Sequence, residues 1–435
     1  MISCSNSHIF VKNSNVMIYM KKTLLLVLCC ATVLIMCSYD SEVINHSENP
    51  MISIQAYGVL PSNPPELNKR RLQKAINDAS PKGLALYVEP CENGYKIDGG
   101  IILKKNVSLV GAHGPTGRGT SNNKSNGPAG SVFVITDKNN PFITVESATR
   151  IEGIQFYYPE QTTTDPAKII KYPATIEVSK TTISQGVTLR DLTFYGEYFA
   201  MNFEANPKHV CEQLLFENCY GYSLGGKFIS IDYCYDIPRI INCHINPDNM
   251  RLFGHRFNSK IVGEVLKEKT FAYTINHTDN AQLIGDFTFG TYGGAFLGAA
   301  TYGQMTNFNY DCVTVGIFKD GNNDFNRNWQ ISQGAIIANA GDNLSEIHPF
   351  VITGSGHTAI TNVDAFSGVN NAVPNLGKSN DFMLIQGDGH PTISIVGCRM
   401  RNYESTFPVT IKNSKAKVQM VSCVDKDENF VNISL

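Results

Sequence analysis

"LLFENCYGYSLGGKFISIDYCYDIPRIINCHI", residues 214–245, says the same thing twice. An asparagine precedes a cysteine near each end, Asn218-Cys219 and Asn242-Cys243. Both pairs sit inside short runs that alternate apolar and polar residues, the pattern of a half-buried strand. The phrase, a small or polar residue and then an apolar one, recurs as Gly153-Ile154, Asp191-Leu192, Gly285-Asp286-Phe287, Asp311-Cys312, Gly334-Ala335, Asn362-Val363, Gly397-Cys398 and Ser422-Cys423. Many successive copies lie about 25 residues apart, within the range of repeat architectures. The longer gaps, 153 to 191, 242 to 285 and 362 to 397, read as coils that carry inserted loops.

The physical reading is a solenoid. A coil of a few short strands cannot bury its own apolar face, but coils stacked about 4.8 Å apart enclose a continuous interior column. Cys219, Cys243, Cys312, Cys398 and Cys423 are expected to stack inside it as small hydrophobic thiols rather than disulfides. Short β-branched segments such as 107–111, 187–194 and 391–397 fit the strands. Only one segment, 65–80, looks strongly helical, with Leu72, Ala75, Ile76 and Ala79 on one face. An amphipathic helix there is expected to cover the open end of the solenoid.

Composition narrows the function. The chain has 435 residues, 36 Lys plus Arg against 38 Asp plus Glu, and no basic stripe, which argues against a nucleic-acid binder. Met20 to Cys37, "MKKTLLLVLCCATVLIMC", has two lysines, then an apolar run and a cysteine. That is a signal-peptide layout, and "LIMC" is similar to a bacterial lipoprotein box with Cys37 as the lipidated residue, although Met36 stands where a small residue is usual. Residues 1–37 are therefore expected to be an upstream extension plus signal peptide, 38–50 a linker, and 51–435 the solenoid domain. The expected location is lipid-anchored at the bacterial outer membrane or cell surface, in contact with a lipid bilayer; plain export to the periplasm or medium is the alternative.

The order of features after residue 50 is distinctive. "ISIQAYGV" (52–59) leads to the helix at 66–79 and then to "LALYVEPCENGYKIDGGIILKKNVSLVGA" (84–112). This resembles the N-terminal region of the pectate-lyase-like right-handed parallel β-helix superfamily, more narrowly its rhamnogalacturonase/epimerase-like pectate lyase domain. The resemblance implies an all-β, single-stranded right-handed parallel β-helix with an N-terminal capping helix. It also implies a polysaccharide partner, since members act on acidic or complex polysaccharides as lyases, hydrolases or epimerases, and some are phage tailspikes. The acidic "D-G-x-x-D-D-T" run that often precedes the family's helix is replaced here by "LPSNPPELNKRR".

Hydrolysis needs two carboxyl groups across the scissile bond. A uronate lyase needs a base and a cation, often Ca²⁺ held by oxygen ligands. The polygalacturonase set of aspartates with Gly-His-Gly and Arg-Ile-Lys is absent in order; "GSGH" (354–357) and "GDGH" (387–390) read as coil corners. Stacking makes residues one coil apart lateral neighbours, so the loop-bearing coils from 153 to 260 are the expected site. Asp236, Arg239 and His244 are the expected catalytic residues, and Tyr158, Glu160, Tyr172, Asp232, Arg251 and His255 the substrate contacts, with exposed aromatic rings covering sugar faces. A corner salt bridge between Asp236 and Arg239 is the competing structural reading. The amide- and acid-rich loop 319–330, with Trp329, is a second candidate for a sugar or a hard cation. Three functions stay open: a polysaccharide lyase or glycoside hydrolase on pectic or other complex glycans, a non-catalytic glycan-binding surface lipoprotein, and a structural or adhesive solenoid.

Overall fold

The computed structural model describes residues 51–112, 130–253, 256–321, 328–340, 346–366 and 377–435. Cys37 with the rest of the leader and linker, His255, the side chain of Arg251 and loop residues 322–327 lie outside the described residues.

Most repeats of the sequence phrase are corners. Gly153 and Ile154 separate strands Arg150–Glu152 and Gln155–Tyr157; Asn242 and Cys243 separate Arg239–Ile241 and His244–Ile245. The first residue of the link is left-handed in coil after coil: Gly153 (φ 67°), Asp191 (53°), Asn218 (55°), Asn242 (53°), Gly285 (72°), Asn307 (57°), Gln333 (54°), Asn362 (53°), Gly397 (64°) and Ser422 (53°). Glycine takes this conformation without penalty, and asparagine or aspartate at a small one. Side chains at the link also bond from coil to coil: Asn242 Nδ2 donates to Asn218 Oδ1 (3.2 Å), and Asn218 Nδ2 donates to Asp191 Oδ1.

The second residue of the link points into the column, where Ile154, Leu192, Cys219, Cys243, Asp286, Phe308, Val363, Cys398 and Cys423 are all buried. The sequence register therefore needs two corrections. The equivalent pairs are Asn307-Phe308 and Gln333-Gly334, not Asp311-Cys312 and Gly334-Ala335. Cys312 is also left-handed (φ 52°), but it lies at a break in strand register between Asp311 and Val313. Gly334 takes the inward slot because the ring of Phe308 already fills it; a Cβ there would stand 2.2 Å from that ring. Four of the five cysteines thus stand at the link, and Cys312 is buried in the same core from the register break. All eight cysteines of the solenoid are unbridged.

The strands on either side of the link form one 25-stranded sheet, folded along the row of links into two faces. An 11-stranded sheet closes the third side, and a 3-stranded sheet fills one corner. Successive coils pair in parallel, as in Leu215↔Arg239 and Phe216↔Ile240. The architecture is the expected single-stranded parallel β-helix. Helix Pro65–Ala79 starts at a proline, which has no N–H to leave unsatisfied. It buries Leu72, Ala75, Ile76 and Ala79. Its buried Asn68 accepts from Leu60 N and donates to Leu60 O and Lys96 O, so the cap is tied to the chain before and after it.

A second helix, Ser259–Lys267, was not expected. Asn258 caps it, its side chain accepting from Ile261 N, and Ile261, Val262, Val265 and Leu266 are its buried face. Asparagine followed by apolar residues at spacings of three and four was the available signal. Asn258 also bonds to the earlier insertion, its backbone N–H donating to Thr163 O (3.0 Å) and its amide to Thr164 O (2.9 Å). The inserted segments 158–175 and 246–270 thus fasten to each other.

Candidate functional site

From residue 150 to residue 400 the link between the two faces is two residues long in every coil, while the corner leading into the 11-stranded sheet varies in length. In the last coils that corner forms a cleft of about 370 Å³, lined by Glu346, His348, Asn380, Asp381, Leu384, Glu404, Ser405, Thr410 and Lys412. Three stacked segments build it. Asn380 N donates to Ile347 O (2.8 Å) while its side-chain oxygen accepts from Ile347 N (2.7 Å), locking the second segment to the first. Glu404 N donates to Ser379 O (3.0 Å) and Ser405 N to Asn380 O (2.9 Å), adding the third. Lys426 holds that third segment from behind, its ammonium donating to Ser405 O (2.7 Å) and, more weakly, to the carbonyls of Tyr403 and Glu404 (both 3.4 Å).

One imidazole organises the cleft. His348 Nδ1 is 2.7 Å from Asp381 Oδ1, and its Nε2 is 3.3 Å from Glu346 Oε2. Asp381 is almost wholly buried, whereas the Glu346 side chain is 61% exposed. A buried carboxylate accepting from Nδ1–H leaves Nε2 to exchange protons with the open side of the cleft. Glu404 supplies a second open carboxyl group, and Lys412 Nζ stands 3.9 Å from Glu346 Oε2.

A surface hydrophobic cluster, separate from the interior column, adjoins the cleft. Phe271, Val315, Val351 and Leu384 pack with the half-buried Tyr292, Phe296 and Phe318. They follow strand register: Thr274↔Phe296↔Phe318↔Val351↔Leu384 up the outer face, and Gly293↔Val315↔His348 beside it. Phe296 and Phe318 stack with centroids 5.5 Å apart. Gly293 has no side chain because the Phe271 ring lies over it; a Cβ would stand 2.0 Å from that ring. Leu384 belongs to both cluster and cleft.

The residues nominated from sequence are not in this cleft. Asp236 is exposed and left-handed just after the 3-stranded sheet, accepting from Gln213 Nε2 (2.5 Å). Arg239 and His244 lie on opposite sides of the Asn242 link, where the chain bends from one face to the other. Arg239 Nη1 donates to Ile237 O (3.3 Å), and the His244 ring stacks between Tyr220 (5.5 Å) and Phe287 (4.3 Å). Closeness in sequence does not become closeness in space across that bend. Tyr158 and Tyr172 correct the expectation of exposed rings. They pack on each other 4.6 Å apart at 2% exposure, with Tyr158 Oη and Thr175 Oγ1 hydrogen-bonded at 2.6 Å. The insertion folds its aromatics inward, where they join the core of the solenoid. Trp329 is likewise buried.

Glu160 pairs with Lys138 (2.7 Å) at the rim of an acidic hollow with Asp98 and Asp137. Burial there, with Glu66 and Asp137 nearby, holds the Asp98 carboxyl above its usual range. Asp232 has a histidine partner of its own: His277 Nδ1 is 2.8 Å from Asp232 Oδ1, and the ring lies parallel to Tyr233 at 4.5 Å. Among the described residues, no three His, Cys, Asp or Glu are grouped to hold a metal ion. Sequence reasoning missed Glu346, His348, Asp381 and Glu404. The usable signal was phase, since each stands just before or just after the start of a strand of the 11-stranded sheet or in the corner before one.

Comparison with solved structures shows the fold. The chain is similar to a double mutant of the tailspike protein of E. coli bacteriophage HK620, at 12% identity over 86% of this chain and 65% of that one, with a TM-score of 0.50. It is also similar to an exopolygalacturonase from Thermotoga maritima (10% identity, 88% of this chain, 94% of that one, TM-score 0.47). A third is the tailspike of Acinetobacter phage vB_ApiP_P1 (8%, 87%, 59%, TM-score 0.44). The chain spans less than two thirds of either tailspike. No family model matches the sequence, and no curated protein does.

Proposed function

We propose that this chain is a carbohydrate-active enzyme that hydrolyses glycosidic bonds in the cleft at the start of the last three strands of the 11-stranded sheet. The observation that carries the reading is His348 held between a buried carboxylate, Asp381, and an open one, Glu346, with Glu404 lining the same cleft. Glycoside hydrolysis requires an acid to protonate the leaving oxygen and a base or nucleophile on the other side of the sugar. Glu346 and Glu404 are the two open carboxyl groups. His348 relays the proton at Glu346, and Asp381 fixes the ring. Extended parallel β-helices of this fold include an exopolygalacturonase and a tailspike solved with a pentasaccharide, which agrees with a glycan partner.

The leader ending at Cys37 places the enzyme outside the cytoplasm on a lipid anchor in this reading; radiolabelled palmitate incorporation into the chain, lost in Cys37→Ala, tests it. The central test is product release from a panel of plant, microbial and host polysaccharides, followed by reducing-end assay and mass spectrometry. New reducing ends from wild type and none from Glu346→Gln support hydrolysis. An unsaturated product absorbing in the ultraviolet supports a lyase instead, and retention without product supports a binding protein.

A further inference from the structure

Resting on the reading of the cleft as a glycan site, we infer that its substrate is an uncharged glycan chain rather than a polyuronate. Two independent features lead there. The first is charge inside the cleft. Its ionisable lining comprises Glu346, Asp381 and Glu404 against Lys412 and His348. His348 is engaged by Asp381 and Glu346, and Lys412, half exposed, stands 3.9 Å from Glu346. Among the described lining residues there is no arginine, the side chain best shaped to take a carboxylate in two parallel hydrogen bonds. A uronate entering this cleft meets three carboxyl groups against a single lysine among the described lining residues.

The second feature is the approach. Beyond Val351 and Leu384, both about 3% exposed, the outer face next to the cleft carries the half-buried rings of Phe318, Phe296 and Tyr292. Such a surface accepts the C–H faces of sugar rings, and burying an unpaired carboxylate against it is costly. The rungs from Leu384 to Phe296 are three strand spacings, about 14 Å, enough for roughly three sugar units beyond the cleft.

The test compares hexamers of xylose, glucose, mannose and galactose with hexagalacturonate, by initial rates on the wild type and by calorimetric titration of the catalytically blocked His348→Ala variant. At least one uncharged hexamer is expected to exceed hexagalacturonate about 100-fold in kcat/KM and in affinity. Phe318→Ala is expected to raise KM about tenfold for that hexamer and leave its disaccharide unaffected. In the His348→Ala background, Glu404→Gln is expected to narrow the affinity ratio about tenfold. Preference for hexagalacturonate overturns this inference but leaves glycan cleavage standing. No turnover and no binding of any of the five removes both readings. Equal loss on hexamer and disaccharide in Phe318→Ala overturns the role of the apolar approach.

Discussion

His348 and Asp381 stand in adjacent coils with 2.7 Å between Nδ1 and Oδ1, and both side chains are almost fully enclosed. Neither residue has a neighbour in sequence that hints at the pairing; the winding alone brings them together. Most of the expected chemistry follows from this contact.

His348→Ala should lower kcat on a cleaved glycan by about 100- to 10,000-fold, the usual contribution of a positioned proton-transfer group. Asp381→Asn should also act on kcat more than on KM, because it disturbs the ring's tautomer rather than substrate contact. Steady-state kinetics alongside circular dichroism separates this from unfolding. A KM change with kcat intact would exclude a proton-transfer role for the pair.

Lys426 should behave as a positioning residue. Its ammonium is the common donor to the carbonyls of Tyr403, Glu404 and Ser405, and it lies 4.7 Å from the Tyr403 ring centroid. Lys426→Met should destabilise the fold by about 1–3 kcal/mol in denaturant titration, in keeping with lost charge-assisted hydrogen bonds. It should also lower kcat several-fold by loosening Glu404. Lys426→Arg should recover part of both losses.

Stability should fall as pH rises from acid to mildly alkaline. Glu197 is wholly buried; its Oε1 accepts from Tyr222 N and Ser223 Oγ, and burial pushes the group up to about 8 from the ordinary 4.5. Below both values the two states bind the proton equally and the stabilisation is complete. Between them the unfolded chain has released the proton while the folded chain keeps it, so each pH step costs stability until the folded group titrates too. Asp286 acts in the same direction, its carboxyl also raised by burial in the interior column. Glu197→Gln should flatten the fall in melting temperature between pH 5 and pH 8. An unchanged slope would show that Glu197 is ionised in the folded protein.

Gly334→Ala should cost about 1–3 kcal/mol, the range for overpacking a filled core. The added methyl stands 2.2 Å from the Phe308 ring. The double variant Phe308→Leu with Gly334→Ala should regain part of the loss, and thermal denaturation reads both.

The fold was legible because its determinants are local. Asn218-Cys219 and Asn242-Cys243 carry a left-handed residue and an inward residue side by side, so corner and column can both be read from a dipeptide. The register slipped at Asp311 and Gly334, where Phe308 projects into the next coil and the inward residue shrinks to glycine. The cleft was not legible, because its parts come from three coils whose corners differ in length, and the phrase that marks the repeat says nothing about that corner. Tyr158 and Tyr172 misled for a related reason: the insertion packs its aromatics onto the core of the solenoid and hides rings that would otherwise mark a binding surface.

The asymmetry between corners has a consequence for how such a chain tolerates change. Between Glu217 and Tyr220 the two-residue link sets Asn218 left-handed and Cys219 inward, so one extra residue there would disturb both positions. At the opposite bend, two segments as long as 158–175 and 246–270 are already accommodated while the strands after them resume their stacking. New loops, grafted epitopes or altered specificities belong at that permissive bend, and the molecule has placed its own cleft there.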